Sequence, residues 1–276
     1  MFTLNCKGKL LVAEQPLVMG IINSTPDSFY EGSRFMDEDI ILKQAEKMLT
    51  EGADILDIGG QSTRPGAEQV SINEERNRVI PVIEIVHRYF PEAIISIDTY
   101  HAGVAKEAVL AGASMVNDIT AGNADPGMLE DVGKMGVPYV CMHMKGTPQT
   151  MQKNPVYENI HKELLDFFIA KKKQCIQSGI KDIIIDPGFG FGKTIQHNFE
   201  LLHHLEIFKM LECPLLIGIS RKSTIYKTLG VSANEALNGT TVLNTIGLMK
   251  GASILRVHDA REAKEAIKLV KSVLEY

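Results

Sequence analysis

Short apolar runs recur along the chain, and each closes in a polar or glycine-rich cluster. Eight such runs end at Asn23, at Asp57 with Gly59 and Gly60, at Asp98, at Asn117 with Asp118, near His143, at Asp186, at Ser220 to Lys222, and at Arg256 with His258. Unbroken apolar runs suit parallel strands covered on both faces. Between them lie segments of helical period, such as EDIILKQAEKMLTEG, in which Ile40, Ile41, Ala45, Met48 and Leu49 share a face. Ser71 precedes Glu74, and Asp259 precedes Glu262, at capping-box spacing. Gly52, Gly112, Gly136 and Gly179 stand where helices should stop.

Strand and helix therefore alternate through eight units, which predicts an α/β fold of the (β/α)8 TIM-barrel class rather than an open doubly wound sheet. The polar residues fall at the carboxyl end of each run, the rim where such barrels carry their chemistry. Residues 2 to 12 precede the first unit and hold Gly8 between apolar stretches, predicting a short N-terminal β-hairpin under the barrel. No linker or low-complexity tract divides residues 1–276, so a single domain is expected. Two connections, Ser24 to Met36 and Gly59 to Ile72, are long and rich in turn formers. They carry Arg34, Thr63 and Arg64, and read as loops over the rim.

The length of 276 residues suits this class. A 45% hydrophobic and 23% charged composition argues against disorder, and a formal net charge of -5 argues against a nucleic-acid binder, which needs a basic face. Neither a signal peptide nor a membrane span is legible. Cys6, Cys141, Cys175 and Cys213 are widely separated, without zinc-site spacing, and read as reduced thiols of a cytoplasmic protein.

DPGFGFGKT invites comparison with a phosphate loop, but the Walker pattern needs glycine where Pro187 stands. Lys193 likewise occupies the last glycine of a dinucleotide fingerprint, so the glycines are read as letting the backbone approach a flat ligand or turn sharply. Asp98 and Asp186 each end an isoleucine-rich run. A heterocycle bearing amino and ring N–H donors would satisfy both, with the Asn117 amide beside them; helix capping or arginine pairing is the plainer reading. Lys222 suits either a Schiff base or a hydrogen bond to a ring acceptor. Arg256 and His258 alternate with Val257, which turns both to one face and suits a phosphate, although His258 alone reads equally as a structural histidine. Thr63 and Arg64 can approach that phosphate from the second loop, and Asn23 offers a carbonyl oxygen to magnesium. Met142 can pack against a flat ring or belong to the core.

These residues resemble the dihydropteroate synthase family, nearly end to end. The resemblance rests on MGIINSTPDSF, DIGGQSTRPGA, SIDTY, VNDITAG, CMHMKGTPQTMQ, DPGFGFGKT, IGISRKS and GTTVLNTIGLMKGASILRVHD, in the family's order. It implies a barrel homodimer that joins 6-hydroxymethyl-7,8-dihydropterin diphosphate to 4-aminobenzoate, giving 7,8-dihydropteroate and diphosphate, with Mg2+ as cofactor and sulfonamides as inhibitors. It also implies a pterin pocket of Asp98, Asn117, Asp186 and Lys222. Asn23, Thr63, Arg64, Arg256 and His258 would serve diphosphate and magnesium, and Pro65, Phe191, Ser220 and Lys222 the aminobenzoate. The chain departs from the family at Ser24, where valine is usual, at Tyr30, Glu31 and Ser33, and at Gln61, where glutamate is frequent.

The mechanism expected from both readings is dissociative. Diphosphate leaves first, its charge gathered by magnesium, Arg256, His258, Asn23 and the second loop; Asp98 stabilises the pterin cation, and the amine then attacks. Two rivals are a Schiff-base aldolase using Lys222 and a pterin-binding methyltransferase subunit or carrier. The latter needs Asp98, Asn117 and Asp186 but neither Arg64 nor the Arg256–His258 pair.

Overall fold

The computed structural model describes residues 1–24, 34–61, 70–147, 149–151 and 153–275, with the backbone alone at 34–37. Strand β1 (Phe2–Cys6) pairs antiparallel with β2 (Lys9–Ala13), the predicted hairpin. Then β3 (Leu17–Asn23), β4 (Ile55–Gly59), β5 (Ile94–Asp98), β6 (Met115–Asp118), β7 (Tyr139–Met142), β8 (Ile183–Asp186), β9 (Leu216–Ile217) and β10 (Ile254–Val257) form one parallel sheet. Among the described residues these are eight strands in the order β8-β7-β6-β5-β4-β3-β10-β9, and a parallel bridge from Ile185 to Leu215 closes the ring.

Helices α1 (Arg34–Thr50), α2 (Ile72–Tyr89), α3 (Ala102–Ala111), α4 (Met128–Met135), α5 (Ile160–Gln177), α6 (Ile195–His203), α7 (Ser223–Leu229), α8 (Leu237–Met249) and α9 (Ala260–Leu274) fill the connections. On α1, Ile41, Ala45 and Met48 are buried as predicted, whereas Ile40 is 46% exposed. It falls just outside the stripe that packs on the sheet. Gly112 and Gly136 cap α3 and α4 as expected, with positive φ.

The two capping boxes come out differently. Ser71 accepts from the Glu74 N–H at 3.2 Å, but the Glu74 carboxylate turns to Arg78 at 2.6 Å. Asp259 sits at the N-cap of α9 without capping it, because Arg221 takes both carboxylate oxygens at 2.8 Å. A bidentate charge-assisted pair outweighs a single cap bond. The seventh strand is also shorter than the run LLIGIS predicts: β9 covers Leu216 and Ile217, with Leu215 in the isolated bridge to Ile185, and the chain turns so that Lys222 becomes the N-cap of α7.

Two apolar cores follow from the strand alternation. One fills the space between sheet and helices. The other lies inside the ring, where Met19, Ile55, Ile94, Met115, Val140, Ile184, Leu216 and Ile254 pack on Leu4, Cys6 and Ala13 of the hairpin. The barrel interior is thus plugged at its amino end, as in other packed barrels. Among the described residues no helix is long and apolar enough to cross a membrane.

Candidate active site at the carboxyl rim

Two residues further along the strands, on the same inward face, the apolar plug gives way to Asp57, Ser96, Asn117, Asp186 and Arg256, with Met142 and Ile21 between them. Strand register sets Asn23 beside Gly59, Gly59 beside Asp98, and Asp98 beside Asn117. Asn23, Asp98, Asn117, Met142, Asp186 and Arg256 therefore converge on one rim.

Arg256 is not an open anion site. Its Nε donates to Asp57 at 2.6 Å and its terminal nitrogen to Asp98 at 2.5 Å. Burial works against its charge, but Asp57 and Asp98 more than offset this and hold the pKa above its ordinary value. His258 instead meets Ser220, Oγ to Nδ1, at 3.0 Å. Arg256 thus meets Asp57 and Asp98, and His258 meets Ser220. Burial pushes Asp98 up to about 7; Arg256 opposes this, and Asp57, Glu75 and Asp118 add to it.

On the opposite wall, Asp186 is buried and accepts the Gly188 N–H at 2.7 Å, which together with Lys222 resists the burial that raises its pKa. Lys222 donates to the Phe189 carbonyl. Burial pulls its ammonium down to about 8 despite Asp186 nearby. A lysine poised there is a donor that can also release its proton. Phe191 packs with Tyr100, Ile119, Met142 and Met151 in an apolar patch above the polar floor. Met142 thus belongs to the core and also borders the well.

The glycines of DPGFGFGKT serve a close backbone approach, but to protein. A Cβ on Gly188 would overlap the His143 carbonyl, and one on Gly192 the Lys145 carbonyl. Lys193 locks the same contact: its Nζ reaches His143 Nδ1 at 3.0 Å, the His143 carbonyl at 3.3 Å and the Phe191 carbonyl at 3.0 Å. Burial and the neighbouring lysines Lys193 and Lys145 push His143 down to about 2, so its ring is neutral and can accept. The loops after β7 and β8 are one interlocked unit that fixes Phe191.

Sequence pattern alone assigned no role to Asp57 or Lys193. Asp57 lies two residues before Gly59, so period two already put it on the inward face. Its partners Asn117 and Arg256 are 60 and 199 positions away, which no local pattern reveals. Thr63, Arg64 and Pro65 lie outside the described residues, as do Tyr30, Glu31 and Ser33. Ser24 is accommodated where valine is usual, its hydroxyl donating to the Arg78 carbonyl at 2.8 Å. Gln61 accepts from the Tyr100 hydroxyl at 3.0 Å.

A polar floor with two carboxylates, an amide and a lysine beside an apolar wall defines a site for a flat, nitrogen-rich ring. The family of pterin binding enzymes matches residues 19–258. Dihydropteroate synthase of Escherichia coli strain K12 is 43% identical over 270 residues, covering 97% of this chain and 95% of its own. The crystal structure of the Yersinia pestis dihydropteroate synthase in complex with a sulfonamide drug superposes with a TM-score of 0.93 at 41% identity, covering 100% of both chains. The Xanthomonas albilineans dihydropteroate synthase with 4-aminobenzoic acid gives 0.92 at 38% identity, covering 99% and 98%. The chain belongs to the pterin binding enzymes and, within them, to the dihydropteroate synthases, transferases of folate biosynthesis.

Proposed function

We propose that this protein condenses 6-hydroxymethyl-7,8-dihydropterin diphosphate with 4-aminobenzoate to give 7,8-dihydropteroate and diphosphate. The observation that carries the reading is the convergence of Asp98, Asn117, Asp186 and Lys222 on one polar floor, bordered by the Met142 and Phe191 patch. The pterin takes the floor, where its N–H groups meet Asp98 and Asp186 and its ring acceptors meet Lys222 and Asn117. The aminobenzoate takes the side of Phe191, Ser220, Lys222 and Pro65.

Diphosphate is assigned to the side of Arg256 and His258, with Thr63 and Arg64 reaching over from the second loop. Magnesium fits this arrangement. Asn23 offers a hard oxygen at the exposed end of β3, and among the described residues no cluster of three His, Cys, Asp or Glu competes for an ion. Asn23 would hold such an ion together with phosphate and water, and the ion would supply charge neutralisation for the diphosphate.

The C–O bond to diphosphate breaks first, leaving a delocalised cation on the pterin methylene. Ionised Asp98 stabilises that cation. Arg256, already held by two carboxylates, keeps its positive charge toward the departing group. The aminobenzoate nitrogen then forms the C–N bond and sheds a proton. No covalent enzyme intermediate is needed.

We place the enzyme in the cytoplasm, where its four free thiols would stay reduced, and take it to be a homodimer. Val242, Ile246 and Met249 form an exposed apolar stripe on α8 that would suit a second copy. The decisive assay mixes protein, magnesium, pterin diphosphate and 4-aminobenzoate and follows diphosphate release. Amine-dependent release with dihydropteroate as product is expected. Absent release, or release indifferent to the amine, would refute the reading.

A further inference from the structure

Asp57 is fully buried on β4, in the same inward layer as Asn117, Asp186 and Arg256. One of its oxygens, Oδ2, accepts both the Arg256 Nε at 2.6 Å and the Asn117 Nδ2 at 3.0 Å. Its other oxygen has no hydrogen-bond partner among the described residues. A buried carboxylate spent in this way is costly unless it fixes something. We propose that Asp57 is a positioning residue that ties the Arg256 guanidinium, on the diphosphate side, to the Asn117 amide, on the pterin side, through a single oxygen.

Two consequences follow from the geometry. With Nδ2 turned down to Asp57, the Asn117 carbonyl oxygen is turned away from it, which fixes the polarity that Asn117 presents to a ring. With Nε held by Asp57 and the terminal nitrogen by Asp98, the guanidinium plane is pinned at two points, a geometry that a planar fork allows and a lysine does not. Arg256 and Asn117 then act as one unit, so loss of Asp57 disturbs both at once.

Asp57 also bears on Asp98. The charged or titratable groups that face Asp98 are Arg256 from β10, Asp57 from β4, Glu75 from α2 and Asp118 from β6, with Lys222 across the well. Removing the Asp57 charge lowers the repulsion on ionised Asp98 and frees Arg256 to pair with Asp98 alone. Both effects make Asp98 ionise at lower pH.

The kinetic part of this assignment rests on the transferase reading, and the test separates the two. Full-length wild type and Asp57→Asn are compared from about pH 5 to pH 9 in the diphosphate-release assay. In Asp57→Asn, kcat/KM for pterin diphosphate should fall about tenfold or more, while KM for 4-aminobenzoate changes less than about twofold. The acid limb of the kcat/KM profile should move to lower pH. An unmoved limb with undiminished kcat/KM, or with equal losses for both substrates, would overturn the role. Should Asp57→Asn fail to fold, exchange of the Arg256 Nε–H in wild type decides, its resonance assigned by its loss in Arg256→Lys. Slow exchange supports the clamp, and exchange as fast as that of a solvent-exposed arginine overturns it. A wild type that releases no diphosphate refutes the transferase reading, while the exchange measurement still judges the clamp.

Discussion

The ammonium of Lys222 stands 4.5 Å from the centroid of the Phe191 ring, on the side of the well assigned to aminobenzoate. The ring is held by its apolar neighbours and by Lys193 on its own carbonyl. Phe191→Ala should raise KM for 4-aminobenzoate about tenfold and leave pterin affinity within about twofold, since it removes ring packing and a cation–π contact of ~1 kcal/mol. Steady-state kinetics with each substrate varied would show this, and equal effects on both would refute it.

In the proposed mechanism Asp98 serves charge that develops only during reaction. Asp98→Asn should therefore lower kcat by about 10²-fold or more while pterin binding, measured by calorimetry, weakens far less. Unchanged turnover would remove Asp98 from the mechanism.

Arg256→Ala should weaken the diphosphate-bearing substrate much more than free hydroxymethylpterin. It also leaves Asp57 and Asp98 buried without their counterion, which should cost about 3–5 kcal/mol of stability. Paired binding titrations and a denaturant melt test both halves, and equal losses for the two ligands would exclude Arg256 from the diphosphate side.

Stability should fall as pH rises from about 4.5 to about 7. Burial raises the Glu75 carboxyl to about 7, with the Thr99 bond and Arg78 opposing, so the folded protein holds a proton that the unfolded chain has released. The native state binds more protons across that window, and the stabilisation present below it is lost as the folded-state carboxyl ionises. Glu75→Gln should flatten this slope by on the order of 1–3 kcal/mol between the two ends. Denaturant midpoints at several pH values provide the measurement, and parallel slopes in both proteins would contradict it.

Gly188 has φ +69 and faces the His143 carbonyl with no room for a Cβ. Gly188→Ala should cost about 2–4 kcal/mol and loosen the interlocked loops, lowering the melting temperature together with aminobenzoate affinity. A fully stable variant would show that the contact can shift at little cost.

The barrel was legible because parallel strands buried on both faces leave apolar runs, and because each run ends in the polar residues of one rim. The rim residues Asp98, Asn117, Asp186 and Arg256 were legible for the same reason. Lys222 reads as following the seventh run at a strand end, but β9 ends at Ile217 and the lysine stands at the N-cap position of α7. Asp259 looked like a cap because its spacing is local, while its actual partner, Arg221, is 38 residues distant. Asp57 finds its partners 60 and 199 residues away, and Lys193 reaches His143 across 50 residues; pairing at that range leaves no periodic trace.

The hairpin and the ring of apolar side chains beneath the site have a kinetic meaning. Among the described residues they close the amino end of the barrel beneath the site. With the pterin lodged deepest and the amine above it, as proposed, entry and exit are ordered. The pterin must arrive before the amine seals the way down, and the pteroate can leave only once the mouth is clear of diphosphate.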